Sequence, residues 1–281
     1  MALALGVFVV PNAHHASRTL EQIVAADETG LDLAGIQDHP YQRRYLETWT
    51  LMSFAAARTS RLRFVTDVAN VPLRPPAVLA KAAASLDVLT GGRVELGLGA
   101  GGFWDAIAAY GGPRRTGPES VDALEEAIAI IRAVWAGERN IRIDGEHYRV
   151  HGAHGGPEPA HAIGIWLGAY GPRMMRVTGR LADGWLPSIP RLPVEELAAR
   201  HAAIDEAAAR AGRDPAAIVR ACNLTLTGAA ATWPEQIAAL ADGHRMEAFL
   251  LGAEDDGGDP VGLVRRLGEE TAPRARELLG A

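Results

Sequence analysis

The sequence predicts an α/β fold: a single-domain (β/α)8 TIM barrel with a small excursion between strands four and five. Apolar, strand-like runs alternate with helical patterns from one end of the chain to the other. Eight such units of about 35 residues each account for the 281 residues, the usual size of such a barrel. No repeat, linker or low-complexity tract divides the chain, so residues 1–281 read as one domain.

The first unit opens with Ala2–Val10, a continuous apolar run of the form that a doubly buried parallel strand takes. A helix over Thr19–Thr29 follows, stopped by Gly30. Strand two is Leu31–Ile36 and ends in the polar cluster Gln37-Asp38-His39, with a helix from about Thr48 to Thr59 behind it. Strand three, Leu62–Val68, precedes a helix opened by Pro75-Pro76 and closed by Gly91-Gly92. Strand four, Arg93–Leu98, runs into Gly99-Ala100-Gly101-Gly102.

The excursion comes next. Phe103–Tyr110 fits one short helix, and Gly111–Pro118 is a glycine- and proline-rich loop. In Val121–Trp135 the residues Leu124, Ile128, Ile131 and Trp135 fall on one helical stripe. Ile141–Val150 reads as a β-hairpin turning at Asp144-Gly145, followed by a loop over Gly152–Pro159. Regular alternation then returns. Ile163–Gly168 is strand five with its helix Arg173–Leu181, and Gly184–Ile189 is strand six with its helix Val194–Ala211. Val219–Thr227 is strand seven with a helix over Pro234–Ala241, and Glu247–Leu251 is strand eight, closed by a helix over Pro260–Leu279.

Composition narrows the function. At 48% hydrophobic and 22% charged residues the chain is globular, and its net charge of -6 speaks against nucleic acid or an anionic membrane as partner. Cys222 is the single cysteine, which excludes disulfide frameworks and cysteine-ligated zinc. The apolar start meets Pro11 too early to span a bilayer and lacks the basic flank of a secretory signal, so the expectation is a soluble, cytoplasmic protein.

In a barrel of this class the chemistry sits just past the strand ends. Gly97–Gly102 formally matches the G-x-G-x-x-G dinucleotide pattern, but three β/α units precede it and no strand follows where that fingerprint requires one. Glycines at a strand end imply close backbone approach, to a neighbouring strand or to a flat ligand, and the ligand is the expected reason here. The turn Gly168-Ala169-Tyr170-Gly171-Pro172-Arg173-Met174 combines a helix N-terminus with a guanidinium and is the candidate anion site. His39 is a barrel-mouth imidazole suited to proton transfer near neutrality. The alternative for His39 is a histidine satisfied by local backbone. His14-His15 lacks the spacing of barrel metal sites, Lys81 falls mid-helix on the outer ring, and Cys222 fits a small buried hydrophobe.

Three stretches together resemble a known family, the bacterial-luciferase-like flavin and deazaflavin oxidoreductases: Gln37-Asp38-His39, the block RLRFVTDVANVPLRPPAVLAKAAASLDVLTGGRVELGLGAGG (61–102), and GIWLGAYGPRMMRVTGRLADGWLPS (164–188). The resemblance implies an oxidoreductase with FMN or coenzyme F420 at the barrel mouth and its phosphate on Ala169–Met174. It implies a bulge with a non-prolyl cis peptide at Asp67–Val68 behind the ring, cofactor contacts from Asp38, Asn70, Gly99, Gly101, Gly102 and Gly168, and His39 as proton donor. It also implies a homodimer acting on a small organic substrate, and the loops past the strands predict a pocket walled by Pro11–His15, Tyr41–Tyr45 and Phe103–Arg115. Where some deazaflavin dehydrogenases of the family place a catalytic glutamate, this chain has Gly102, and the short segment between strands seven and eight does not suit light emission. Rival readings are a non-catalytic flavin-binding barrel and a metal-dependent barrel hydrolase.

Overall fold

Parallel strands close into a barrel, and every stave comes from one of the apolar runs. The computed structural model describes residues 3–189, 191–255 and 257–280, so the predicted start at Ala2 lies outside the described residues. The strands are β1 (Ala4–Val9), β2 (Leu33–Ile36), β3 (Arg63–Thr66), β4 (Ala69–Asn70), β5 (Val94–Gly99), β6 (Ile141–Asp144), β7 (Arg149–Ala153), β8 (Ile165–Leu167), β9 (Gly184–Trp185), β10 (Val219–Leu226) and β11 (Ala248–Ala253). All except β6 and β7 form one sheet in the order β3-β2-β1-β11-β10-β9-β8-β5-β4, and a β3–β5 pairing closes it. β3 and β4 are two pieces of one stave, interrupted at Asp67 and Val68, whose peptide bond is cis as the resemblance implied.

Strand periodicity sorts the core into two layers. In β1, Leu5, Val7 and Val9 face the helices, while Ala4 and Phe8 face the barrel interior with Leu33, Val65, Trp166, Leu186, Ala248 and Leu250. Large residues at the base of the barrel depend on glycines opposite them. A Cβ on Gly184 would lie 2.6 Å from Trp166, and one on Gly6 would lie 2.3 Å from the Leu33 carbonyl oxygen. Towards the base, fully buried Arg220 of β10 packs against the outer helices, donating from Nε to His201 Nδ1 at 3.0 Å and pairing with Asp205.

The helices are α1 (Ala16–Glu28), α2 (Thr48–Ala56), α3 (Pro76–Thr90), α4 (Trp104–Ala109), α5 (Gly117–Trp135), α6 (Pro172–Leu181), α7 (Leu197–Arg210), α8 (Trp233–His244), α9 (Pro260–Arg266) and α10 (Ala272–Leu279). Three of the departures from expectation have identifiable reasons. α5 begins four residues early because Thr116 and Glu119 form a reciprocal capping box, a signal present in Thr116-Gly-Pro-Glu119. The last helix is divided by a π-helical turn over Leu267–Thr271, just ahead of Pro273, which has no amide to donate. α1 begins at Ala16, where the Thr19 hydroxyl bonds the Asn12 and His15 carbonyls. The hairpin of β6 and β7 extends to Ala153, and the Glu126 carboxylate of α5 accepts the turn amides of Glu146, His147 and Tyr148 at 2.8, 3.0 and 2.8 Å. Strand six is ladder-paired only over Gly184–Trp185, and Ser188 adds an isolated parallel bridge to Asn223.

Candidate active site

The C-terminal ends of the staves surround a cavity of about 640 Å³. Asp38, His39, Asp67, Val68, Asn70, Gly99, Gly101, Gly102, Gly168, Tyr170, Gly171 and Met174 all line it, so the structure gathers most of the predicted site residues in one place.

Asp38 ends the second stave, buried. Its Oδ2 accepts the Asn70 amide at 2.9 Å, and both oxygens accept from Arg74, Nε to Oδ2 and Nη2 to Oδ1, each at 2.7 Å. Asp38 therefore ties the bulged third stave to the second and is held by a cation. His39 is half-buried, with Nδ1 2.7 Å from the Tyr41 hydroxyl and its ring edge-on to Phe103 at 5.6 Å. Burial pulls its pKa below the usual histidine value, with the Asp38 charge opposing. Burial and the same charge push the Tyr41 hydroxyl up to about 12, so it stays protonated. Tyr41 engages the Nδ1 edge, which leaves Nε2 as the ring nitrogen free to exchange a proton at the mouth.

Asp67 lies at the interrupted third stave, 8% exposed, with Oδ2 accepting from Asn223 Nδ2 at 3.0 Å. Burial pushes this carboxyl up to about 6. Asn70 Oδ1 and Gln37 Oε1 are buried polar atoms with no hydrogen-bond partner, both in residues that line the cavity. Such atoms call for a donor.

The glycines serve two purposes, which corrects the expectation of ligand approach alone. A Cβ on Gly97 would lie 1.9 Å from the Thr66 carbonyl oxygen, and one on Gly99 would lie 2.7 Å from the Val68 side chain. Close packing of neighbouring staves requires these two. Gly101 has φ +101° and turns the chain beside Pro72 and Trp104, while Gly102 is open on its Cβ side.

The predicted anion turn is also divided. Gly171 caps α6, Pro172 takes the first helical position, and the amides of Arg173 and Met174 are left at the helix N-terminus. Ala169 is buried and accepts from Trp185 Nε1 at 3.0 Å, behind the cavity wall. Arg173 does not line the cavity: its guanidinium pairs with Asp122 of α5 and donates to the Pro118 carbonyl. The guanidinium in the cavity wall is Arg191, stacked 4.7 Å over the Tyr170 ring, with no ion pair among the described residues. Pro11–His15 and Tyr45 also stand outside the lining, because Asn12 bridges to Tyr45 and fastens the two loops together. In the Phe103–Arg115 segment Phe103 reaches the cavity, whereas Arg114 pairs with Asp105 and Arg115 stacks on Tyr148.

Sequence reasoning missed Arg74, Arg191 and Asn223. Asn223 had a signal, since it faces inward by strand alternation and lies at the mouth end of β10. Among the described residues no group of three or more His, Cys, Asp or Glu could hold a metal ion, and no helix is long and apolar enough to cross a membrane.

A barrel with this mouth defines a class, and comparison with known proteins places the chain within it. The luciferase-like monooxygenase family model matches residues 4–270, and the chain belongs to that family. A phthiodiolone/phenolphthiodiolone dimycocerosates ketoreductase of Mycobacterium sp. (strain JLS) is 36% identical over 221 residues, 75% of this chain and 55% of the relative. An F420-dependent glucose-6-phosphate dehydrogenase of Nocardia farcinica is 33% identical over 216 residues, 73% of this chain and 62% of the relative. The aligned stretch thus spans less than two thirds of either relative. Among solved structures, an F420-dependent secondary alcohol dehydrogenase in complex with an F420–acetone adduct superposes with a TM-score of 0.82 at 18% identity, covering 98% of this chain and all of that one. This last likeness is one of fold.

Proposed function

We propose that the protein is an oxidoreductase that uses coenzyme F420 or FMN on a small organic substrate. The observation that carries this reading is the pair of partnerless buried amide oxygens, Gln37 Oε1 and Asn70 Oδ1, in the wall of a cavity large enough for a tricyclic ring. The imide N–H of a flavin or deazaflavin is a donor of the kind they lack. When bound, F420 supplies two-electron hydride transfer, and reduced FMN supplies oxygen activation. The F420-dependent relative favours the deazaflavin.

The chain's own residues supply the remainder. Val68 and Gly168 form an apolar backing. The free amides at the start of α6 and the Arg191 guanidinium meet the anionic part of the cofactor. Tyr41 and Phe103 hold His39 at the mouth, where its Nε2 is the proton donor. His39 is the imidazole in the cavity wall and is the proton-transfer group of this reading.

We also propose a cytoplasmic homodimer. Phe54 on α2 and Val78, Val88 and Leu89 on α3 are large apolar side chains exposed on adjacent outer helices, which supports pairing there. Sedimentation of the wild type and of a Leu89→Glu variant checks it, with dissociation of the variant expected.

Paired fluorescence titrations with F420 and FMN test the function. Tight F420 binding with weak FMN binding assigns hydride transfer, and the reverse assigns oxygen-dependent chemistry. Binding of neither would sink the cofactor reading.

A further inference from the structure

Two carboxyls are buried at this cavity, and they are held in opposite ways. Asp38 faces the guanidinium of Arg74 through two hydrogen bonds. Asp67 faces only the uncharged amide of Asn223, and no basic side chain pairs with it among the described residues. A buried carboxylate with a cation is stable as the anion. A buried carboxylate with one neutral donor depends on whatever water still reaches it.

For Asp67 that water comes through the cavity, whose lining it shares with apolar Val68, Leu186 and Leu250. The other ionisable groups in the lining are Asp38, His39, Tyr41, Tyr170 and Arg191. Asp38 is already paired, burial lowers the His39 pKa and so favours its neutral form, burial keeps Tyr41 and Tyr170 as neutral phenols, and Arg191 lies over the Tyr170 ring. Behind Asp67, the buried Cys222 thiol of β10 has its pKa raised by burial and by the Asp67 charge, so it stays neutral. None of these groups replaces water around an ionised Asp67.

We propose that the Asp67 carboxyl takes up a proton from solvent when a flat aromatic ligand is seated in the cavity, and that the neutral acid then donates a hydrogen bond to that ligand. The proposal rests on the reading of the cavity as a flavin or deazaflavin site. The ring displaces the water that solvates the anion, and Asn223 alone does not compensate. One proton passes from bulk solvent to a carboxylate oxygen; no other bond changes. Burial has already pushed this carboxyl up to about 6, so a modest further shift moves it across neutral pH.

The test is the pH dependence of affinity for FMN, F420 and riboflavin, with calorimetry in two buffers of different protonation enthalpy to count protons. Riboflavin carries no group that titrates in this range. Wild type should take up a fraction of a proton on binding near pH 7, and its affinity should fall by up to about tenfold per pH unit above the carboxyl's midpoint. Asp67→Asn should show neither effect for riboflavin, and for the charged cofactors should retain only the ligand's own titration. Asn223→Ala removes the donor that favours the anion, so it should move the fall in affinity to higher pH. Identical proton counts in wild type and Asp67→Asn, or an unmoved profile in Asn223→Ala, would overturn the proposal while leaving the cofactor assignment intact. Failure of all three ligands to bind would overturn the cofactor assignment itself.

Discussion

Arg74 closes on Asp38 with both guanidinium edges in register: Nε meets Oδ2 and Nη2 meets Oδ1, each at 2.7 Å. The Asp38 side chain is fully buried and that of Arg74 is 18% exposed, while Nη2 also reaches Glu47 Oε1 at 2.7 Å. The Asn70 amide donates to the same Oδ2, so a single carboxylate fastens the bulged stave, the start of α3 and the N-cap of α2 to the cavity rim.

Removing the guanidinium leaves that carboxylate buried without a cation. Arg74→Met should destabilise the fold by about 3 kcal/mol, a drop in Tm of roughly 6–12 °C for a chain this long. Asp38→Asn, which keeps an acceptor for Asn70 and removes the charge, should cost less. Thermal denaturation of both variants checks the order, and a smaller loss in Arg74→Met than in Asp38→Asn would contradict it.

A second expectation concerns His39. His39→Ala should keep cofactor binding and lower turnover by roughly 10²–10⁴-fold, the usual contribution of a positioned acid or base. Burial holds its pKa below the ordinary histidine value, so the imidazolium gains population only on the acidic side of neutrality. In the reductive direction, where His39 gives up a proton, kcat/KM should therefore rise as pH falls through that lowered pKa. In the oxidative direction, where it accepts one, the limb should be reversed. Unchanged limbs in His39→Ala would remove it from the proton path.

The two arginines near the anion turn make opposite predictions. Arg191→Ala should weaken FMN relative to riboflavin by about tenfold, the usual size of one charge-assisted hydrogen bond. Arg173→Ala, whose guanidinium is engaged with Asp122, should leave that ratio as it is. Titration of both ligands against both variants decides which guanidinium holds the phosphate.

The eight staves were legible because a parallel barrel buries each strand on both faces and writes it as an apolar run, and the mouth was legible because glycines and polar clusters follow those runs. Asp38 and His39 are legible by position at a strand end, and Asp67 through the family resemblance. Their partners are not. Arg74 is 36 residues from Asp38 and Asn223 is 156 from Asp67, and which side chains meet across a closed barrel is set by stave register and shear, which no local spacing encodes. The same holds for the pairing of Arg173: its neighbour Asp122 belongs to α5, which packs beside α6 only once the barrel has closed.

The base of the barrel should set the acid limit of stability. His201 is 4% exposed, and burial together with the neighbouring Arg220 holds its pKa down to about 4. The unfolded chain, with an ordinary histidine, binds this proton near pH 6.5, so between pH 6.5 and 4 the unfolded state carries more protons and stability falls as pH falls. Above pH 6.5 both states are neutral at this residue and its effect is flat. A shift of this size corresponds to about 3 kcal/mol across the window. In His201→Asn, which cannot titrate, that part of the acid slope should vanish even though the variant starts from lower stability. Urea denaturation midpoints at steps between pH 4 and 7.5 provide the comparison. Parallel slopes for the two proteins would mean that the acid sensitivity arises from the carboxylates instead.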